Sequence, residues 1–499
     1  MNKINNLDQL AKILAKKKVV LCHGVFDLVH FGHISHFLTA KKHGDVLVVS
    51  ITDDKFVNKG PGRPVFNSNI RAEYLSNIQC VDYVVINNSK TATNVIKSLK
   101  PKFYCKGKDY KNHKDDITNE IKNEIKALNS YGGKIIYTDE FSSSSSKLIN
   151  SYLGVFDNNQ KNFLNKFKKY SNKFEQYFKN FKKLKVMVLG ETIIDHYFFC
   201  EALGKSGKDP ILAIKENKNE KYIGGSASIA INLSKFCNKI NFVSVVGNEK
   251  KSFSFLKSKL PKSIRHDFII DTERPTIIKK RYIDEISNNK LLSVYNIDDN
   301  YMSKNNQKKL LNIVKRNIKK CDLVIVSDYG HGMISESLAK YVCNNSKFLA
   351  VNAQINAANR GYHSLLNYKK SDLIIVNENE LRHEMRDKQT EIKNLMKKFS
   401  LRNNFKDLII TRGNKGVILY NRKYDKFFYS QAFAKKIIDK IGSGDSMLAL
   451  SSISLALGLE KNLALFFGSL AAAQSVESIG NSTSLDPIKL QKSIYHLVK

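Results

Sequence analysis

The chain has 499 residues, 42% of them apolar, which is too long for one ordinary core and too apolar for wholesale disorder. Its seven cysteines (22, 80, 105, 200, 237, 321 and 343) are scattered with no C-x-x-C pair, which argues against a disulfide framework or zinc ribbon and for reduced thiols in a cytoplasm. A net charge of +36 is compatible with nucleic-acid binding, yet lysine and asparagine run through the whole chain instead of gathering in a patch. A lysine- and asparagine-rich composition is the simpler reading, and nucleic acid is not expected as a partner.

The N-terminal stretch MNKINNLDQLAKILAKKK has no apolar segment fit for a signal peptide, so a cytoplasmic location is expected. Val19 to Cys22 then reads as a buried strand, followed by a short turn and a paired-histidine loop, His30-Phe31-Gly32-His33. A helical pattern continues through Phe37, Leu38 and Lys41. Two imidazoles thus stand at a helix N-terminus beside a glycine, where free amides and the positive end of the dipole favour an anion. Such a loop suits the α-phosphate of a nucleotide undergoing substitution. Further strand-like runs, Val46 to Ile51, Tyr83 to Ile86, Phe103 to Lys106 and Ile135 to Thr138, alternate with helical patterns in the rhythm of a βαβ sheet. Among them lie a glycine-rich basic segment, Lys59-Gly60-Pro61-Gly62-Arg63-Pro64, and then Arg71. Lys106-Gly107-Lys108-Asp109-Tyr110 comes at a strand end, where α/β sheets bind ligands, and a serine run spans 142–146.

In this order these segments resemble the cytidylyltransferase-like nucleotidyltransferases, whose signature is H-x-G-H, over residues 19 to 150. The likeness is strongest to the adenylyltransferase half of the bifunctional heptose-7-phosphate kinase/heptose-1-phosphate adenylyltransferases. It implies attack by a sugar-1-phosphate oxygen on the α-phosphorus of a nucleoside triphosphate, with release of pyrophosphate. By that resemblance His30 and His33 are catalytic, and Gly24, Phe26, Asp27, Lys59, Arg63, Lys106, Asp109, Ser144 and Ser145 contact the nucleotide. The family's Cys-Ser-Thr-Thr-Asn is Ser143-Ser144-Ser145-Ser146-Lys147 here. ATP and CTP both remain open as the donor.

Between 153 and 183, Phe163, Phe167, Tyr170, Phe174, Tyr177 and Phe181 recur in alternating steps of four and three, the stripe of an amphipathic helix. The expected role is a linker packed on one domain or on its twin in a homodimer. From Leu184 the α/β rhythm restarts, with strand-like runs at Val186 to Leu189, Asn241 to Val246, Leu323 to Ser327, Phe348 to Val351, Leu373 to Val376 and Leu408 to Thr411. The apolar stretch Met447 to Ser478 is interrupted by Glu460, Lys461 and Asn462, so two buried helices are expected and no membrane span.

Asp439-Lys440-Ile441-Gly442-Ser443-Gly444-Asp445-Ser446 precedes the first of these helices. Small residues at a helix start make an anion cradle, and an aspartate at its lip can take the proton of a hydroxyl attacking a γ-phosphate. There is no Walker A sequence. With Gly224-Gly225-Ser226-Ala227, Asn377-x-x-Glu380 and Thr411-Arg412-Gly413, this set resembles the ribokinase-like carbohydrate kinases over about residues 184 to 490. The resemblance implies Asp445 as general base and the amides of Gly442, Ser443 and Gly444 as anion hole. Arg412, Gly413 and Gly416 would line the ATP site, and Asn377 and Glu380 would help place Mg²⁺. Asp195, Gly224, Gly225, Lys279 and Asp328 would meet the sugar. This chain departs from the family at Ser228 (for Asn), at Asn352-Ala353-Gln354 (for Asp-Pro-Lys) and at His331 (for Lys), and its two domains come in reversed order.

The expectation is therefore two doubly wound α/β domains, a nucleotidyltransferase over 1–152 and a carbohydrate kinase over 184–499, joined by the aromatic linker. The kinase would phosphorylate a sugar or sugar phosphate with ATP, and the transferase would make an NDP-sugar, both acting on small molecules. Three rivals stand beside this reading: a CTP-dependent cytidylyltransferase for a polyol or amino-alcohol phosphate joined to another sugar kinase, a nucleic-acid-binding protein built on enzyme-like folds, and an enzyme in which one half, the kinase before the transferase, is a dead regulatory domain.

Overall fold

The computed structural model describes residues 3–60, 62–107, 120–138, 157–356, 359 and 364–498. Contacts divide the chain into two compact units, one drawn from Met1–Ser171 and Ile488–Lys499, the other Asn172–Pro487.

In the first unit β1 (Val19–Gly24), β2 (Val46–Thr52), β3 (Tyr83–Asn87), β4 (Phe103–Gly107) and β5 (Lys134–Thr138) form a sheet in the order β3-β2-β1-β4-β5. Every pairing is parallel. Strand alternation feeds two cores: Val19 and Leu21 face one with Tyr104 and Leu128, while Val20 and Cys22 face the other with Phe37 and Leu75. The order reverses between β1 and β4, so the crevice at their carboxyl ends is where such a sheet takes a ligand. The histidine loop leaves β1 there, and Lys106-Gly107 ends β4 beside it.

In the second unit β6 (Lys185–Gly190), β9 (Lys239–Gly247), β10 (Ile264–Asp271), β13 (Leu323–Asp328), β14 (Leu349–Ala353), β15 (Lys370–Asn377), β16 (Asn404–Thr411), β17 (Val417–Asn421) and β18 (Lys426–Ser430) build a large sheet. Its order is β10-β9-β6-β13-β14-β15-β16-β17-β18, with only the β16-β17 and β17-β18 pairs antiparallel. A second sheet, β12-β11-β7-β8, comes from β7 (Thr192–Lys205), β8 (Leu212–Gly224), β11 (Ile277–Asp284) and β12 (Lys290–Asn296). The switch point of the large sheet lies between β6 and β13, and Gly190-Glu191 and Asp328-Tyr329 emerge there.

The stretch expected as two buried helices is Ser443–Ala456 and Lys461–Ser475, and among the described residues no helix is long and apolar enough to cross a membrane. The aromatic stripe expected as one helix over 153–183 is instead a helix Asn158–Asn165, a 3₁₀ segment Lys168–Lys173 and a helix Phe174–Phe181. Ser171 and Asn172, whose side chains compete with the backbone for hydrogen bonds, lie in the break. Within the second unit Phe174, Phe178 and Phe181 pack on Phe467, and Phe178 also meets Phe236.

One side chain ties the exits of β1 and β2 together. Arg71, 1% exposed on the helix Ser68–Ser76, donates to the carbonyls of Val25 (2.6 Å), Thr52 (2.9 Å) and Phe66 (2.9 Å) and pairs with Asp54. Replacing it strands several buried acceptors at once. Arg71→Met is expected to destabilise the first unit by about 2–4 kcal/mol, read as faster amide exchange across β1 and β2. Unchanged exchange in both strands would refute this role.

Candidate active sites

In the first unit, Gly24 ends β1 because Phe26 folds back over it; a Cβ at Gly24 would come within 2.9 Å of the Phe26 ring. Phe26 itself adopts φ +50°, an uncommon conformation for a non-glycine residue. Its ring stands edge-on to His33 (5.3 Å between centroids) and to Phe37 (5.2 Å).

His30 is the N-cap of the helix Phe31–Lys41, and its Nδ1 accepts the Gly32 amide at 3.1 Å. His33, three residues on, accepts the His30 amide on its own Nδ1 at 3.3 Å. An Nδ1 that accepts cannot carry the proton, so both rings are Nε2–H tautomers. Burial, then the charges of His30, Lys59 and His36, push His33 down to about 3; burial and Lys59 lower His30 as well. The result is two neutral imidazoles, 4.0 Å apart between centroids, presenting N–H donors. His30 Nε2 is buried and has no hydrogen-bond partner among the described residues. Lys59 is close enough to act on both rings.

Asp27 and Arg63 are turned towards each other. Asp27, 2% exposed, accepts the amides of Val65 (2.7 Å) and Phe66 (3.1 Å) and the Arg63 guanidinium (3.2 Å), pinning the Lys59–Pro64 segment to the end of β1. Lys106 is also turned inward: it pairs with Glu124 at 3.7 Å, lies over the Tyr104 ring and reaches the His23 carbonyl. Burial and Lys106 bring His23 down to about 4. Asp109, Ser144 and Ser145 lie outside the described residues.

In the second unit, Asp445 sits in the first turn of the helix Ser443–Ala456, whose N-cap, Gly442, has φ +84° and no side-chain cap. A Cβ at Gly442 would press to 2.2 Å of Asn481 Oδ1, whereas the space over Gly444 is open. The Ser443 amide, one of the three expected to form the anion hole, turns back to the Lys440 carbonyl at 3.4 Å. Asp445 accepts the Tyr329 hydroxyl (3.1 Å) and the Ser228 hydroxyl (3.3 Å). Burial of the carboxylate raises it to about 6, with the Asp195 charge adding and Tyr329 opposing.

Asp195 and Lys279 are paired in register across β7 and β11. Asp195 bonds Arg281, and Lys279 lies between the rings of Tyr295 (5.4 Å) and Tyr329 (5.8 Å). Gly224 and Gly225 give this cluster room: a Cβ at Gly224 would meet Asp195 Oδ2 at 2.2 Å, and Gly225, at φ +60°, would meet the Glu191 carbonyl at 2.6 Å. Asp328 takes up its oxygens inside the protein, on the Tyr368 hydroxyl (2.6 Å) and the Gly330 amide (3.0 Å). Glu191, fully buried, accepts the amides of Tyr329 (2.9 Å) and His331 (3.1 Å) and so delivers Tyr329 to Asp445. Arg281 was missed in the sequence, although it stands two residues after Lys279 in a strand and therefore on the same face. Arg71 stood out in the sequence without a role, and neither Glu191 nor Tyr329 was assigned one.

Asn377 and Glu380 form a reciprocal cap, each side chain accepting the other's amide (2.8 and 2.7 Å). Burial raises Glu380 to about 7, and the Asp445 charge contributes, so the two carboxylates feel each other. Among the described residues no cluster of three or more His, Cys, Asp or Glu forms a protein cage for a metal. Such a donor set fits Mg²⁺ carried mainly by phosphate oxygens and water. Arg412 bonds Glu378 at 2.8 Å, and Gly413 (φ +58°) and Gly416 (φ +78°) shape the turn behind it; a Cβ at Gly416 would strike the Ser430 carbonyl at 2.2 Å.

Residues 183–488 match the pfkB family carbohydrate kinase model, and the chain belongs to that family. Residues 21–151 match the cytidylyltransferase-like model. The chain is 26% identical over 324 residues to the bifunctional protein HldE of Aliarcobacter butzleri, covering 63% of this chain and 66% of that protein. It is 28% identical over 321 residues to HldE of Campylobacter jejuni strain RM1221, with the same 63% and 66% coverage. A shorter match to HldE of Campylobacter fetus is 42% identical over 135 residues, 26% of this chain and 29% of that protein. The match thus spans slightly less than two thirds of the longer-matching relatives. Among solved structures, phosphofructokinase-2 from Escherichia coli in complex with potassium matches 64% of this chain and 99% of its own, with a TM-score of 0.51 and 13% identity. The microbiome-derived acarbose kinase Mak1 matches 62% and 99%, with a TM-score of 0.50 and 13% identity. These likenesses show that the chain shares the fold of those two kinases.

The tautomers are directly measurable. In ¹⁵N spectra of the full chain, His30 and His33 should both show an unprotonated Nδ1 and a protonated Nε2 at neutral pH, and His33 should stay neutral at pH 5. An imidazolium at His33 above pH 5 would contradict the geometry.

Proposed function

We propose that this chain is a two-site sugar-activating enzyme, phosphorylating a sugar or sugar phosphate with ATP and coupling a sugar-1-phosphate to a nucleotide. One observation carries the reading. Each unit sets a helix N-terminus near the switch point of its sheet, capped by an imidazole in the first and by a glycine in the second, beside a side chain whose protonation burial has tuned to that chemistry. The matched families and the relatives' description as bifunctional support it.

In the kinase site Asp445 takes the proton of the acceptor hydroxyl as its oxygen bonds the γ-phosphorus, and the bond from that phosphorus to the β-phosphate oxygen breaks to release ADP. The amides of Gly442 and Gly444 receive the charge that gathers on the transferring group. Asp195 and Lys279 orient the sugar, with Arg281 bonded to the Asp195 carboxylate. Mg²⁺, when bound with ATP, neutralises phosphate charge, and Asn377 and Glu380 are the residues that would hold it through its waters.

In the transferase site the acceptor phosphate oxygen attacks the α-phosphorus and pyrophosphate leaves. His30 and His33 donate Nε2–H bonds to the phosphate oxygens, and Lys59 supplies the positive charge that the neutral rings lack. Neutral donors hold a phosphate without titrating in the physiological range, so this step should be flat in pH where the kinase step is not. The 42% identity to an HldE over 135 residues favours a sugar-nucleotide product, of the heptose type that the sequence resemblance implies.

Asp445 works ionised, so kinase activity should fall as pH drops through about 6. Asp445→Asn should lower phosphoryl transfer by roughly 10²–10⁴-fold while leaving nucleotidyl transfer intact. A wild-type rate that is level from pH 5 to 8, or a variant as fast as wild type, would dismiss Asp445 as base.

His30→Ala and His33→Ala should each reduce pyrophosphate release by about 10²–10³-fold, assayed with ATP and CTP in parallel against a panel of sugar phosphates. Phosphoryl transfer should survive both changes. Undiminished pyrophosphate release in either variant would remove the histidines from the reaction, and faster turnover with CTP on a polyol phosphate would replace the sugar reading.

A further inference from the structure

Asp439 lies outside the groups used above, yet four donors converge on its carboxylate. Oδ1 accepts from Lys290 Nζ at 2.7 Å and the Ile441 amide at 3.2 Å; Oδ2 accepts from the Tyr197 hydroxyl at 2.9 Å and the Gly480 amide at 3.0 Å. The side chain of Asp439 is 7% exposed and that of Lys290 38%, so an ammonium at the rim is drawn onto a buried anion. Tyr197 has no exposed surface, and the fit around it is close: a Cβ at Gly480 would stand 2.9 Å from its oxygen.

The donors come from two places. Tyr197 is on β7, two residues after Asp195, and Lys290 opens β12 at the edge of the same four-stranded sheet. The carboxylate they hold begins the short loop whose last residue, Gly442, caps the helix carrying Asp445. The sheet that bears the sugar-side residues Asp195 and Lys279 is thereby tied, through one carboxylate, to the loop that would bear the phosphate-side amides.

We infer that Lys290 and Tyr197 are positioning residues for phosphoryl transfer, acting through Asp439 to fix the anion-binding loop in register with the sugar-side sheet. This rests on the kinase reading of the second unit. The physical reason is the cost of leaving a buried carboxylate short of donors. Without Lys290 the charge of Asp439 is relieved most easily by the loop moving towards water, which takes the amides of Gly442 and Gly444 out of alignment. Because the ammonium enters from the rim, a small primary amine can replace it; the hydroxyl of Tyr197 is enclosed and cannot be replaced in that way.

The test uses the full chain, with hydrogen exchange read on peptides covering residues 439–446 and phosphoryl transfer read alongside. Lys290→Ala and Tyr197→Phe should each speed exchange in that segment by at least about tenfold, with the strands of the large sheet unchanged. Turnover per ATP should fall by roughly ten- to a hundredfold, with the pH midpoint of Asp445 in place. Ethylammonium at tens of millimolar should reverse both effects in Lys290→Ala and neither in Tyr197→Phe, and Lys290→Arg should retain most of the wild-type behaviour. Unchanged exchange in Lys290→Ala overturns the proposal, as does faster exchange that neither ethylammonium nor arginine corrects. Should wild type phosphorylate no sugar at all, the kinase reading fails by itself, and the exchange measurement still decides whether Asp439 is the tie.

Discussion

The first turn of a helix leaves amide hydrogens that no carbonyl of its own helix can reach, and the chemistry proposed for both units depends on leaving some of them unpaired. Several helices close that turn with a side chain, as Asn67, Ser303 and Ser335 do for theirs. At Gly442 no side chain does so, and the N-cap is a glycine in the left-handed conformation. At His30 the cap is an imidazole, which satisfies the Gly32 amide with one nitrogen and keeps a proton on the other. One device exposes backbone donors directly; the other converts a backbone contact into a side-chain donor. Both belong at the carboxyl edge of a parallel sheet, because only there do a strand end and a helix start meet around an open crevice.

Burial then sets the charge state of each group, and it does so in opposite directions. Removing water disfavours whichever form is charged, so the same effect pushes Asp445 up to about 6 and His33 down to about 3. In the proposed reactions the carboxylate is a base matched to neutral solution, and the imidazole a donor that does not titrate there. Tyr329 and Ser228 keep Asp445 from rising further by donating to its ionised form. Glu191 makes this possible at one remove, since its two backbone contacts fix the turn that carries Tyr329. A carboxylate with no exposed surface is thus used to aim a hydroxyl, an expense in solvation justified by the alignment it gives.

The parallel strands were legible in the sequence because strands buried on both faces read as unbroken apolar runs, and all five of the first unit and six of the second match such runs. The four-stranded sheet was not. Its strand β8 contains Lys215, Glu216, Asn217, Lys218, Asn219, Glu220 and Lys221, all exposed, and such a run reads as a loop. What makes it a strand is the ladder offered by β7, a non-local partner that propensity cannot announce. The motif residues show a related limit. Asp27, Arg63, Lys106 and Asp328 were legible as unusual polar residues near strand ends, but a motif does not tell whether a charge faces a ligand or a neighbour. Arg63 faces Asp27, Lys106 faces Glu124, and Asp328 faces Tyr368.

The departures from the family pattern bear on whether the second site is merely a relic. A pocket released from its task would be expected to leave orphaned polar atoms or gaps where the family's residues once stood. Ser228, in place of an asparagine, donates to Asp445 itself. Asn352, in place of an aspartate, gives its amide to the Ile375 carbonyl at 2.8 Å. His331, in place of a lysine, is buried against Asp299 at 2.6 Å, on the turn that Glu191 holds. Each replacement has a partner, and two of the three are joined to the Asp445 network, but His331 keeps a buried Nε2 with no hydrogen-bond partner among the described residues; the glycines and the aspartate of the cradle are untouched.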